Sequence, residues 1–214
     1  QYSVSNIDIN QEQMVMYVGS NHAPGGYLWI FPKGDRSANI GIGISGKYSK
    51  EKSAKKYLDE FMKNNFPNAS NLTTVCGGVP CPKPMTEPIG NGLMLAGDAA
   101  HQINPMTGGG IISGMKGGMI SGIVASQAVK KNNFSKKFLQ KYPQRMFKEF
   151  GKNYERFYKI KLAVNQLNDH DLNMIAESVL STPIEKRTLG TVFKKAIFKK
   201  PSLVFDVMKL FSGF

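Results

Sequence analysis

Cysteine is scarce in this 214-residue chain, with two thiols at Cys76 and Cys81, and histidine is little commoner at three. Two thiols cannot build a disulfide framework. With four residues between them in a Gly/Pro-rich stretch they could be a redox pair, half of a metal site or two unrelated thiols. Zinc would want more ligands, so unrelated thiols are the preferred reading and no metal site is expected. Long hydrophobic runs are also missing: no stretch reaches the roughly 18 apolar residues of a membrane span, and no transmembrane helix is expected. The chain does not open with a basic segment followed by an apolar one, so a secretory signal is not indicated and a cytoplasmic location is the default. Its first residue is Gln1 rather than Met, and it reads as a piece of a longer polypeptide. Acidic residues number only 15 against 28 Lys and Arg. The remaining composition, 41% hydrophobic and 20% charged, excludes a disordered tail and fits one or two globular domains.

The positive charge is unevenly placed. Residues 1–130 carry 11 basic and 8 acidic groups, whereas 131–214 carry 17 and 7, a net of +10. Residues 13–18, 27–31 and 38–44 are short aromatic and β-branched runs bounded by turn formers, and they predict antiparallel strands. Pro32, Lys33, Gly34 and Asp35 supply turn chemistry for a hairpin between the last two runs. Ile40, Ile42 and Ile44 alternate with Asn39, Gly41 and Gly43, which leaves one face nearly bare backbone and open to something large. The spacing of Ala54, Tyr57, Leu58, Phe61 and Met62 predicts a surface helix over 49–65, with Ser49 as its N-cap. Residues 92–96 form a continuous apolar run of the kind found in strands buried on both faces. A buried helix is expected over 111–130 despite glycines at 114, 117, 118 and 122, which let a backbone or cofactor approach closely. Further helices are expected over 135–168, with a kink near Pro143, and over 171–180.

The most informative stretch is Gly92-Leu93-Met94-Leu95-Ala96-Gly97-Asp98-Ala99-Ala100-His101, followed by Asn104-Pro105-Met106-Thr107-Gly108-Gly109-Gly110-Ile111. A carboxylate at the end of a buried strand is placed to accept hydrogen bonds from sugar or ribityl hydroxyls. A glycine loop opening a helix presents N–H groups, and the helix dipole there favours negative charge. Together they suit a flavin, with Asp98 on the ribityl chain and the Gly109, Gly110 and Ile111 amides near the pyrimidine edge. His101 by itself is not assigned a chemical role, because a single histidine after a strand is more often packed or solvated. This stretch resembles the second FAD fingerprint of the flavoprotein group that contains p-hydroxybenzoate hydroxylase and the geranylgeranyl reductases. By that resemblance, Gly97, Asp98, Gly108, Gly109, Gly110 and Ile111 are cofactor-binding and FAD is the cofactor.

A second segment, Pro24-Gly25-Gly26-Tyr27-Leu28-Trp29-Ile30-Phe31-Pro32, resembles the P-x-x-Y-x-W-x-F-P signature of the geranylgeranyl reductase family at every defined position. On a strand, Tyr27, Trp29 and Phe31 project to one side and make an aromatic wall suited to a long apolar chain. The bland reading is that these rings are core. The resemblance instead implies that Tyr27, Trp29, Phe31 and Pro32 meet the isoprenoid. It extends over Ala38-Asn39-Ile40-Gly41-Ile42-Gly43 and over Gly77, Gly78 and Pro80, and it is strongest to the archaeal digeranylgeranylglycerophospholipid reductases. Those enzymes open with a Rossmann unit carrying G-x-G-x-x-G, and no such strand-glycine-helix context stands in residues 1–60.

The fold implied is α/β (α+β). It is the C-terminal part of a p-hydroxybenzoate hydroxylase-like FAD fold, with an antiparallel substrate-domain sheet, the second fingerprint and C-terminal helices, lacking the N-terminal Rossmann unit. Residues 1–90 are expected to be part of the substrate domain, 91–130 the FAD-binding segment and 131–214 a basic helical region. The activity implied is flavin-dependent saturation of C=C bonds in geranylgeranyl chains of archaeal-type membrane phospholipids, with an external electron donor; this fragment alone is expected to be inactive. No residue stands out as the proton donor. An aromatic monooxygenase of the same fold group and a non-catalytic lipid-binding module are the alternatives. The tail interleaves Val192, Phe193, Ile197, Phe198, Leu203, Phe205, Leu210 and Phe211 with lysines, as interfacial segments do, and predicts peripheral contact with an anionic membrane. Nucleic acid is not expected as a partner, since basicity comes without a reading motif.

Overall fold

A computed structural model describes residues 1–201 and divides the chain into two compact units. The first unit comprises residues 1–77 and 167–199. Its sheet has five strands, β1 (Tyr2–Ser5), β2 (Val15–Tyr17), β3 (Tyr27–Gly34), β4 (Ser37–Gly43) and β5 (Ser70–Thr74), in the order β2-β3-β4-β1-β5. All its pairings are antiparallel. The alternation in β3 is sharp. Leu28 and Ile30 are buried, and Ile30 lies opposite Ile40 of β4. Helix α1 (Ala54–Asn65) contributes Leu58 and Phe61 to the same core, together with Tyr2, Val4 and Ala38.

Two local expectations are corrected by this sheet and helix. The hairpin forms, but its turn is Asp35-Arg36, both at positive φ (46° and 56°), and Pro32 stays in the strand opposite Ala38. Two consecutive left-handed residues match the twist of a tight hairpin, which a turn built on Pro32 could not supply. The helix begins later than 49, because Ser53 is the N-cap and its side chain accepts from the Lys56 amide. Ser49 instead donates to the Gly46 carbonyl in the preceding turn. The inner strand β1 and the edge strand β5 are not predicted from the sequence pattern. Helices α6 (Asp169–Leu180) and α7 (Leu189–Lys199) belong to this unit. A capping box between Asn168 and Asp171 opens α6, and Asp169 accepts from the Ser20 amide at 2.8 Å.

The second unit covers residues 78–166 among those described. It holds a two-stranded ribbon, β6 (Ile89–Gly90) with β7 (Leu93–Met94), a 3-10 turn (Gly97–Ala100) and α2 (Ile111–Lys130). Then follow α3 (Lys136–Leu139), α4 (Lys141–Met146), a π-turn (Phe147–Gly151) and α5 (Lys152–Val164). Its core is Ile120, Val124 and Ala128 of α2 packed with Leu139, Tyr142 and Met146. The apolar run 92–96 is therefore not a strand buried on both faces. β7 pairs only with β6 among the described residues, and a strand with one neighbour leaves its outer side to solvent: Leu93 is 52% exposed. Nor is α2 buried all round. Ile111, Met115, Met119 and Ile123, four residues apart, form an exposed apolar row. The expected kink becomes a break at Gln140 and the π-turn, with Pro143 in the first turn of α4, where its missing N–H costs nothing. The basic region expected over 131–214 thus contributes helices to both units, and its residues 202–214 lie outside the described residues.

Candidate functional site

Two places carry the residues singled out from the sequence, one in each unit. In the first, Tyr27, Trp29 and Phe31 occupy the face of β3 opposite Leu28 and Ile30, and all three are half-buried. They are off the core. Tyr27 and Trp29 have ring centroids 5.6 Å apart, and Trp29 stacks on Phe31 at 6.0 Å. Met16 of β2 stands opposite Trp29 and prolongs this face. The expected bare surface on β4 is partly covered. A Cβ on Gly41 would lie 2.3 Å from the Trp29 indole, so the indole lies flat on Gly41, which no other residue type could permit. At Gly43 a Cβ would meet nothing, so the open part of the face is there, beside Tyr27. Trp29 Nε1 donates to Gln1 Oε1 at 3.2 Å, which fixes the indole edge. Pro32 follows on the same strand, half-buried.

In the second unit the ribbon leads into Gly97, whose φ of +65° turns the chain into the 3-10 turn carrying Asp98. A cleft of about 340 Å³ is lined by Asp98, Ile103, Gly108, Gly110 and Ile111, with Val79, Gly114 and Met115. A Cβ on Gly110 would stand 3.5 Å from Asp98 Oδ1, so the carboxylate and the start of α2 are immediate neighbours. The first amides of α2 have no acceptor one turn back in the helix and face this end. The geometry brings together Asp98, Gly108, Gly110 and Ile111. Gly97 sits behind them, with its Cα 3.7 Å from where a Gly114 Cβ would be. Gly109 directs its N–H to Thr107 Oγ1 at 3.2 Å. His101 is in the left-handed region (φ 53°) and closes the turn through its amide, which donates to the Asp98 carbonyl at 3.0 Å.

Four residues unassigned from the sequence hold this cleft in shape. Gln102, only 4% exposed, accepts from the Gly97 amide at 2.8 Å and donates to the Tyr142 hydroxyl at 2.6 Å. Tyr142 in turn donates to the Leu95 carbonyl at 2.7 Å, and burial pushes its phenol pKa up. Ser113, on the buried side of α2, donates to the Gln102 carbonyl. Gly117 makes room: a Cβ there would sit 2.0 Å from Gln102 Oε1. The sequence signal was the glycine in mid-helix, which marks a close approach without naming the partner. Cys81 lies at the margin, its Sγ 3.9 Å from where a Gly108 Cβ would be. Burial raises its thiol pKa, against the opposing charge of Lys161. Cys76 is exposed, and no His, Cys, Asp or Glu cluster suited to a metal occurs among the described residues.

Residues 1–79 match the family model described as the geranylgeranyl reductase catalytic domain. Over 213 residues the chain is 41% identical to digeranylgeranylglycerophospholipid reductase 1 of Methanococcoides burtonii. Over almost its whole length the chain is thus similar to members of the geranylgeranyl reductase family. It spans about half the length of the curated relatives it matches: the M. burtonii alignment covers 99% of this chain and 52% of the relative. A second relative, the digeranylgeranylglycerophospholipid reductase of Methanoculleus marisnigri, is 40% identical over 98% of this chain and 53% of its own length. Among solved structures, a geranylgeranyl bacteriochlorophyll reductase-like protein of Thermoplasma acidophilum superimposes with a TM-score of 0.85 at 32% identity. That match covers 98% of this chain and 53% of the other. The family-model match takes in β1 to β5, α1 and the aromatic face. Of the Asp98 cleft only Val79 falls within it; the rest lies beyond it but within the regions shared with these relatives.

Proposed function

We propose that this chain is the substrate-contacting and flavin-contacting part of an FAD-dependent reductase that saturates double bonds in geranylgeranyl phospholipids. The observation that carries the reading is the placement of Tyr27, Trp29 and Phe31 off the core, on a sheet face that stays open at Gly43. A face of three rings and a bare backbone patch suits a flexible hydrocarbon with no polar groups to satisfy. The Asp98 cleft fits the ribityl and pyrimidine end of a flavin. Its glycines leave room for a ring system, its carboxylate accepts hydroxyl donors, and the start of α2 favours the negative charge of the reduced form. Bound reduced flavin would supply hydride for one alkene carbon, and a proton drawn from solvent or an acid group would complete the other. The protein's tasks are then to hold the chain in line and to keep water away from it. The lipid-phosphate class of substrate follows the names of the relatives.

Membrane-surface contact is part of this proposal. On α7, Phe198 is 81% and Ile197 41% exposed among Lys194, Lys195 and Lys199. None of the described helices is long and apolar enough to cross a membrane. A chimera tests the function: this chain replaces the corresponding half of the M. burtonii relative, and the product is supplied with dithionite-reduced FAD and a geranylgeranyl phospholipid. The expected result is bound flavin and a gain of two hydrogens per double bond, lost with Trp29→Ala for long chains. A chimera that binds flavin and hydroxylates aromatic rings would put the monooxygenase reading in its place. One that binds lipid without flavin would favour a binding module.

A further inference from the structure

One half-buried cation of the 78–166 unit stands behind the Asp98 cleft without a carboxylate of its own. Lys161 lies in the last turn of α5, where the negative end of the helix dipole favours a positive charge. Its ammonium donates to the Cys81 carbonyl at 2.7 Å and forms no ion pair among the described residues. That bond ties α5 to the 79–81 segment, which flanks the glycine turn before α2. A Cβ on Gly108 would lie 3.8 Å from Val79 Cγ1 and 3.9 Å from Cys81 Sγ, and Val79 itself lines the cleft. Lys161 is thereby joined to the glycine side of the cleft, the side on which α2 begins.

The electrostatics agree with this placement. Burial is the main influence raising the Cys81 thiol pKa; the charge of Lys161 opposes it and that of Asp98 adds to it, so both charges are felt at one sulfur. Among the described residues Asp98 is the only acidic one lining the cleft. A half-buried cation with no carboxylate partner favours an anionic group nearby, because little water is at hand to solvate it. A tether alone would not need the charge, since a neutral amide can donate the same hydrogen bond to a carbonyl.

We infer, on the basis of the flavin reading above, that Lys161 is a positioning residue that sets the balance between the two redox states of the flavin. It holds the 79–81 wall and lends positive charge to the glycine side of the cleft, so that reduced, anionic flavin is bound more tightly than oxidised flavin. The test titrates the 214-residue chain with riboflavin, which carries the ribityl chain and the ring system without the adenine half. Binding is measured for oxidised riboflavin and, without air, for dithionite-reduced riboflavin at mildly alkaline pH, where its pyrimidine ring is anionic. Wild type should favour the reduced form. Lys161→Gln keeps a donor for the Cys81 carbonyl and removes the charge; it should weaken binding of the reduced form about tenfold and change the oxidised form by less than about twofold, the order expected of one unit charge acting through partly buried protein. A tenfold change in that ratio is a shift of about 30 mV in the potential of the bound two-electron couple. Lys161→Arg keeps the charge and should keep the wild-type ratio, and circular dichroism should show both variants folded. If Lys161→Gln weakens both forms equally, or Lys161→Arg loses as much as Lys161→Gln, Lys161 only fastens the segment and the inference fails while the flavin reading stands. A wild-type chain that binds neither form defeats the flavin reading and this inference together.

Discussion

Alanine substitutions at three glycines of α2 should have opposite signs on one helix, and the difference can be worked from the structure. In a helix interior Gly→Ala gains about 0.8–1 kcal/mol from backbone entropy and solvation. At Gly118 and Gly122 an added Cβ meets nothing within 4 Å, so that gain should be realised nearly in full. At Gly117 the Cβ would lie 2.0 Å from Gln102 Oε1 and 2.9 Å from its Cδ, well inside contact. Gln102 cannot yield at no cost, because it holds the Gly97 amide and the Tyr142 hydroxyl. Displacing it leaves buried polar groups unpaired at about 1–3 kcal/mol each. Two such groups outweigh the helix gain, and Gly117→Ala should destabilise by about 1–5 kcal/mol net.

Equilibrium denaturation of the 214-residue chain in urea checks this, provided the slope m is unchanged so that midpoint shifts report stability. A double-mutant cycle sharpens it. In a Gln102→Ala background the obstacle is gone, and Gly117→Ala should become neutral or stabilising. If Gly117→Ala stabilises the wild-type chain as Gly118→Ala does, then Gln102 does not hold the cleft as described.

Asp98→Ala in the flavin-loaded chimera should release flavin on dialysis, since a charge-assisted hydrogen bond is worth about 1.5–3 kcal/mol; full retention would remove Asp98 from the cofactor contact. Leu28→Ala, at 0% exposure, should cost about 2–5 kcal/mol in denaturant, whereas Trp29→Ala should cost clearly less and act on long-chain turnover. Hydrogen bonds from Lys55 first, then from Tyr2, hold the Asp59 carboxyl below its usual value of 3.8. That contribution is present above about pH 4 and fades as pH falls through the lower folded value, so an acid titration of stability should be steeper for wild type than for Asp59→Asn. The net +10 of residues 131–214 predicts vesicle binding that needs anionic lipid and weakens with salt, since screening acts within about 10 Å at 0.1 M; equal binding to neutral vesicles would remove the electrostatic argument.

Local chemistry made much of this fold legible and long-range pairing hid the rest. Period-2 alternation placed β3 and β4, because Leu28 and Ile30 have one face to bury and the rings have the other. β5 was invisible: Ser70–Thr74 is exposed along its whole length, and its pairing with β1 leaves no apolar pattern to read. The run 92–96 misled for the opposite reason. Hydrophobic composition says that a segment can be buried, whereas burial depends on how many neighbours supply hydrogen bonds and cover. The same limit applied to α2, whose limits were readable at Ile111 and Lys130 but whose apolar residues exceed what one packed face can take. Gly41 looked like space for a ligand and proved to be the seat of Trp29, a pairing fixed by strand register rather than by either residue alone.

The Asp98 cleft shows why its key supports were illegible. A carboxylate beside a glycine turn announces itself through residue type, whereas the parts that keep it in place are a glutamine, a tyrosine and a serine, which occur in any surface. They matter here because each is tied to backbone: Gln102 to the Gly97 amide, Tyr142 to the Leu95 carbonyl, Ser113 to the Gln102 carbonyl. These bonds pin the chain on both sides of Asp98 and join it to the first turn of α2. Under the proposed function, loop positions that would otherwise have to be ordered on flavin binding are held already, and the entropy of ordering them would not count against the flavin. The Asp98 side chain itself is exposed, so in the proposed function it is open to a ribityl hydroxyl donor while its backbone is held from both sides.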